Sequence, residues 1–295
     1  MRIGTSIIRK ERIAAPSTLA NWPLRLRVAR LLAVQELRDA LFGWSFYITA
    51  AIGPLLSALF VYNSLNFVAS SGLQILARPF YVPVLVTTTL ATLYLAAWAT
   101  LAIVRPRDQG ALRVLFFAPV DAYGVIGGHL LAGIALYGLL MLAVAPLLGL
   151  ISVLTNLPFP APLLVGLLAS PVFAAVAVTI GLCISTIAAS SRSAMFFFGA
   201  TLLVVLAIPI AYTALLSVPP TSRYYDALLF LRDLVRMLRD LLSWISPYTL
   251  LSAGLDAAMR SNWGDLIWRL VAGVVGCVVW AALAIWGLQR RGVLP

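Results

Sequence analysis

Few residues in this chain could do chemistry, and their neighbours narrow what that chemistry could be. The single lysine, Lys10, is followed by Glu11. A Walker A loop needs a glycine-rich run and then Lys followed by Ser or Thr, so this chain does not cradle ATP phosphates in that way. The single histidine stands in the run Gly127, Gly128, His129 with no second His, Cys or carboxylate beside it in sequence. That is a poor metal site, and a helix-packing role is the plainer reading. Cys183 and Cys277 both fall in apolar stretches without metal-type spacing and read as buried thiols. No Ser, Cys or paired carboxylate stands beside a base at a position suited to hydrolysis. The sequence therefore points to no catalytic residue and no metal ligand.

The elements that carry these residues are apolar. Of 295 residues 62% are hydrophobic and only 11% charged, and the mean hydropathy is +1.00. A soluble chain carries roughly 25% charged residues to keep a wetted surface. A spanning helix needs about 20 apolar residues. Six segments qualify: 43–63, 81–104, 125–150, 163–188, 194–218 and 270–288, and none contains Asp, Glu, Lys or Arg. The first begins near Gly43, too late for the apolar core of a cleaved leader, so none is expected.

Basic residues cluster at the ends of these spans. Eight lie before Gly43; Arg105, Arg107, Arg113, Arg192, Arg290 and Arg291 bring that side to fourteen, against seven on the other. The positive-inside rule then puts both termini in the cytoplasm of a cell inner (plasma) membrane. The net charge of +11 reads as topology signal and lipid head-group contact, and no nucleic-acid partner is expected.

Two further segments are helical without spanning. Residues 22–39 are Arg-rich, with Leu24, Val28, Leu31 and Leu32 on one face, which suits a helix at the cytoplasmic interface. Residues 224–244 repeat Leu228, Leu231, Val235, Leu238 and Leu242 opposite Arg232, Asp233, Arg236, Arg239 and Asp240, too much charge for a span. The expected fold is an all-α membrane protein of six transmembrane helices. An interfacial segment (1–42) precedes the membrane domain (43–295), which contains an amphipathic external segment (219–269). Ala177, Gly181, Ser185 and Ala189 form a small-residue stripe that lets a neighbouring helix approach.

The most informative connection is 105–120. Arg105 and Arg107 pin its start to the cytoplasmic interface, and Gly110 precedes a predicted helical turn or two exposing Leu112, Leu115, Phe116 and Phe117, ended by Pro119. Apolar side chains on the wet side of a membrane mark lipid contact or a docked protein.

At these residues the sequence resembles the ABC-2 type transporter permeases. Asp108, Gly110, Leu112, Leu115, Pro119 and Val120 match the segment between that family's second and third spans. Ala111 stands where the family has Thr, Arg113 where it has Glu, and its leading Glu is missing, which puts contacts made by those acids in doubt. Residues 185–195, the run Ser246 to Leu251 and the basic tail 289–292 are similar to later motifs of the family, and the N-terminal amphipathic stretch to its elbow helix.

The resemblance implies that 105–120 is a coupling helix, with Arg107, Asp108, Gly110, Leu112, Leu115, Phe116 and Pro119 meeting a separate ABC ATPase. It implies an exporter of two permease chains and two ATPase chains, with ATP and Mg held only by the ATPase and no enzyme activity in this chain. Two other classes stand beside it. An intramembrane lipid-modifying enzyme would need polar catalytic groups at one depth, and a channel would need a charged ring or filter loop; an assembly scaffold needs neither.

Overall fold

The computed structural model describes residues 22–71, 80–110, 121–218 and 225–290, and among them there is no strand. The helices are α1 (Trp22–Leu41), α2 (Trp44–Ser71), α3 (Tyr81–Ala102), α4 (Val104–Asp108), α5 (Ala122–Thr155), α6 (Ala161–Ile187), α7 (Ser191–Leu216), α8 (Tyr225–Ile245), α9 (Pro247–Met259) and α10 (Trp263–Arg290). Six of them, α2, α3, α5, α6, α7 and α10, are long and apolar enough to cross a bilayer. The chain is an all-α, multi-pass membrane protein.

Helix α6 is the centre of the bundle and packs most extensively against α3 and α10. Small residues make the approach to α3 possible. A Cβ on Gly181 would lie 2.5 Å from the Ala96 carbonyl oxygen and 2.9 Å from the Ala99 Cβ, so only glycine fits there. The stripe works as far as Ser185; α6 stops at Ile187, and Ala189 is exposed beyond its end.

Prolines 54, 146, 171 and 209 sit inside helices that continue through them. A proline leaves the carbonyl four residues earlier without its N–H partner. At Pro171 that carbonyl is Leu167, and the Ser170 hydroxyl donates to it at 2.6 Å. Tyr137 of α5 in turn donates its hydroxyl to Ser170 Oγ at 2.6 Å. Both residues are fully buried. The break in the ladder has become a tie between α5 and α6.

Sequence placed the last span at 270–288, without charge; the helix begins at Trp263 and takes in Asp265 and Arg269. The two pair with each other at 3.4 Å, and the Arg269 guanidinium lies over the Trp244 ring, 4.9 Å from its centroid. An i,i+4 ion pair next to an aromatic face is how the helix accommodates charge over nearly two more turns.

Helix α1 advances along α5. Arg25 meets Asp121 at 2.6 Å, Val28 and Leu32 cover Gly124 and Gly128, and Glu36 reaches His129. Leu31, expected on the same apolar face, is 66% exposed and takes no part in this packing. At 1.5 Å per residue the 34 residues of α5 extend about 51 Å, well past a hydrocarbon core of about 30 Å. Helices α8 and α9 form a hairpin that enters and leaves the bundle at the end where α3 begins. Arg239 lies over the ring of Tyr212 near the end of α7, and the Tyr81 hydroxyl donates to the Ser252 carbonyl at 3.4 Å.

Candidate functional site

Three helix ends meet where the chain leaves α3. The helix turns at Ile103 and restarts as α4, and the Ser185 hydroxyl of α6 accepts from the amides of Ile103 and Val104, both at 3.2 Å. Ser185 and Val104 are completely buried, so the joint between α3 and α4 rests on the last turns of α6.

Two of the residues singled out in sequence extend this joint. The Arg107 guanidinium donates to the carbonyl of Ala188, the residue that caps α6. Asp108 Oδ2 accepts from the amide of Ser191 at 2.8 Å and from its hydroxyl at 2.6 Å. Ser191 opens α7, behind a reciprocal capping box between Ser190 and Ser193. A carboxylate there takes up one of the orphan amides of the first turn and suits the positive end of the helix dipole. Arg107 and Asp108 therefore clasp the α6–α7 connection from opposite charges. Gly110 follows with φ +75° and no described residue within 4 Å of where a Cβ would stand, and glycine takes that left-handed turn without strain. Leu112, Leu115, Phe116 and Pro119 lie outside the described residues.

The one hydroxyl set beside a carboxylate in this arrangement, Ser191 on Asp108, ties the start of α7 to α4. Among the described residues no group of three or more His, Cys, Asp or Glu could hold a metal ion. What it can do is mechanical: a displacement of 104–110 is carried by direct hydrogen bonds to the ends of α3, α6 and α7 at once.

A second polar cluster went unseen in the sequence. His129 is 4% exposed, with Nδ1 3.8 Å from Glu36 Oε1 and its ring edge-on to Trp98, centroids 6.2 Å apart. The sequence reading gave His129 no carboxylate neighbour; the fold supplies one from α1, 93 positions away along the chain. Burial, reinforced by the nearby charge of Asp39, lifts the Glu36 carboxyl from its ordinary value of 4.5 to about 7. The available signal was spacing, since Glu36 stands four residues after Leu32 on the face that packs against α5.

Fold and joint together define a six-helix membrane protein whose polar connections brace helix ends. Compared with protein-family models and with curated proteins, the chain finds no match.

Proposed function

We propose that this chain is the membrane-spanning subunit of an ATP-driven exporter of the ABC-2 type, moved by a separate ATPase that seats on residues 105–120. The observation that supports this reading is the joint made by Ser185, Arg107 and Asp108. A push on α4 has rigid paths into α3, α6 and α7, which is what transmission from a soluble motor to a membrane pathway requires.

In this reading the charge bias places both termini and the 105–120 segment in the cytoplasm, α1 at that face as the interfacial elbow, and the α8–α9 hairpin on the outer side of the plasma membrane. ATP and Mg bind only in the ATPase. A second copy or a homologous permease completes the pathway. Helix α7 is almost wholly exposed, with Phe196, Leu203 and Ile210 facing outward, and offers apolar surface to lipid or to that second chain.

The test is a double substitution, Leu115→Asp with Phe116→Asp, expressed with the ABC ATPase that this reading expects a neighbouring gene to encode. Each apolar side chain buried by a partner contributes about 1.5–3 kcal/mol, so the variant should insert normally yet lose the ATPase on purification. Failure of the wild-type chain to retain any ATPase, or retention of normal stimulated turnover by the variant, overturns the proposal.

A further inference from the structure

Helix α8 carries a stripe of apolar side chains that the described fold leaves exposed. Phe230, Leu234, Met237 and Leu241 recur at intervals of four, three and four residues. All four are exposed, Phe230 by 78% and Met237 by 73%. Leu231 and Leu238, also exposed, widen the stripe along one edge. A different side of the helix faces the rest of the chain: Arg232, Val235, Arg239 and Leu242 are less exposed, and Arg239 lies over Tyr212 of α7. Alternation of four and three is the spacing of a coiled-coil seam, whose side chains need a facing helix. Trp244 would continue the series but meets Trp268 edge-on, centroids 6.2 Å apart.

The hydrocarbon of the bilayer does not account for this stripe. Leu242 and Ile245 share the walls of an apolar cavity with Leu202 and Val205 of α7, while Arg239 meets Tyr212 further along it. The two helices therefore run antiparallel, and α8 contains no Pro or Gly to bend it. At 1.5 Å per residue, Tyr225 stands about 21 Å past Tyr212, and Leu216, where α7 ends, only about 6 Å. The first half of α8 thus projects about 15 Å beyond the last turn of α7. Arg232, Asp233 and Arg236 follow one another closely there, and charge of this density belongs outside the hydrocarbon. Phe230 and Leu234 are bare apolar surface on that projecting half.

We propose that the α8 stripe docks against the same stripe of a second copy of this chain, with the two α8 helices side by side and parallel. The stripe is flanked unequally: Asp233 and Asp240 lie on one edge, Leu231 and Leu238 on the other. Parallel pairing sets the acids of each helix beside the leucines of the other, whereas antiparallel pairing sets one row of acids against the other. Two copies inserted in the same sense and related by a two-fold axis along the membrane normal present α8 in the parallel sense. The seam is too short to hold two free helices together, so the membrane domains must bring the copies close first. The pairing rests on that part of the exporter reading which calls for a second copy; no residue of 105–120 takes part.

The test is disulfide linking of the full-length chain in native membranes, without any ATPase, after Cys183 and Cys277 have been replaced by alanine. Seam residues of a parallel pair meet their own counterparts, within the roughly 4.4–6.8 Å between Cα atoms that a disulfide needs. Phe230→Cys, Leu234→Cys and Met237→Cys, each introduced alone, should therefore run as linked dimers after mild oxidation with copper phenanthroline. Leu229→Cys and Arg236→Cys, which are exposed but off the seam, should stay monomeric. Adding Phe230→Asp to Met237→Cys should abolish the link. Equal linking at seam and off-seam positions would show chance collision in the bilayer plane, and linking at one seam position alone would show an antiparallel crossing; either overturns the proposal. Absence of a link at all three seam positions, or a link that survives Phe230→Asp, equally overturns it. Retention of the ATPase by the wild-type chain judges the exporter reading separately, so a missing link beside a retained ATPase rejects the seam alone.

Discussion

Replacing Glu36 by Gln should remove a pH dependence that is built into the contact between α1 and α5. The Glu36 side chain is 21% exposed and lies 3.8 Å from the His129 ring nitrogen. The charged and titratable groups around it are His129 on α5 and Asp39 on its own helix; Trp98 closes the far side of the histidine. Its carboxyl is lifted from 4.5 to about 7, so the docked state holds a proton that the undocked state gives up. Docked α1 then binds more protons than free α1, and stability must fall as pH rises. The contribution is fully present below about pH 4.5, declines by about 1.4 kcal/mol per pH unit above it, and is lost as pH passes through about 7. In all this is about 3 kcal/mol, or about two-hundredfold to three-hundredfold in the opening equilibrium. Hydrogen exchange of α1 peptides in nanodiscs, corrected for the intrinsic effect of pH, measures that opening. Wild-type protection should drop about a hundredfold between pH 5 and pH 8, and Glu36→Gln should be flat across the same range. Identical profiles for the two proteins would refute the argument, because they would show that Glu36 is ionised in the docked helix.

Gly181→Ala should lower the thermal unfolding midpoint in detergent, since its Cβ would lie 2.5 Å from the Ala96 carbonyl oxygen and overpacking of this kind costs about 1–3 kcal/mol; an unchanged midpoint would mean that α3 and α6 yield without cost. Tyr137→Phe removes the donor to Ser170 and should cost about 1 kcal/mol in the same assay, with no loss if the hydroxyl pair carries no net stability.

The spanning helices were legible because their signal is local: about 20 apolar residues in a row need no knowledge of neighbours. Their ends were less so. The last helix starts seven residues before its first expected position, as Asp265 and Arg269 cancel only once they stand one turn apart against Trp244. The site split in the same way. Arg107 and Asp108 stood out as charges at a span's end, but their partners, Ala188 and Ser191, are about eighty positions further along, in a stretch whose family likeness does not reveal the pairing. Ser185 was noticed for being small and for opening the 185–195 stretch; its hydroxyl role comes from the turn at Ile103, which no periodicity announces. Glu36 was invisible as a partner of His129 because α1 and α5 are separated by two intervening spans in sequence.

The hydroxyl pair that repairs the ladder at Pro171 also bears on leakage. Relay of protons along a chain of hydroxyls requires every link to reverse its donor and acceptor. Tyr137 donates to Ser170, and Ser170 donates to the Leu167 carbonyl. A carbonyl has no proton to return, so the order of donors is fixed from the last link backwards. This buried polar chain between α5 and α6 is thus a dead end rather than a wire. A bundle of this kind can keep hydroxyls at its centre while the membrane around it holds an electrochemical gradient.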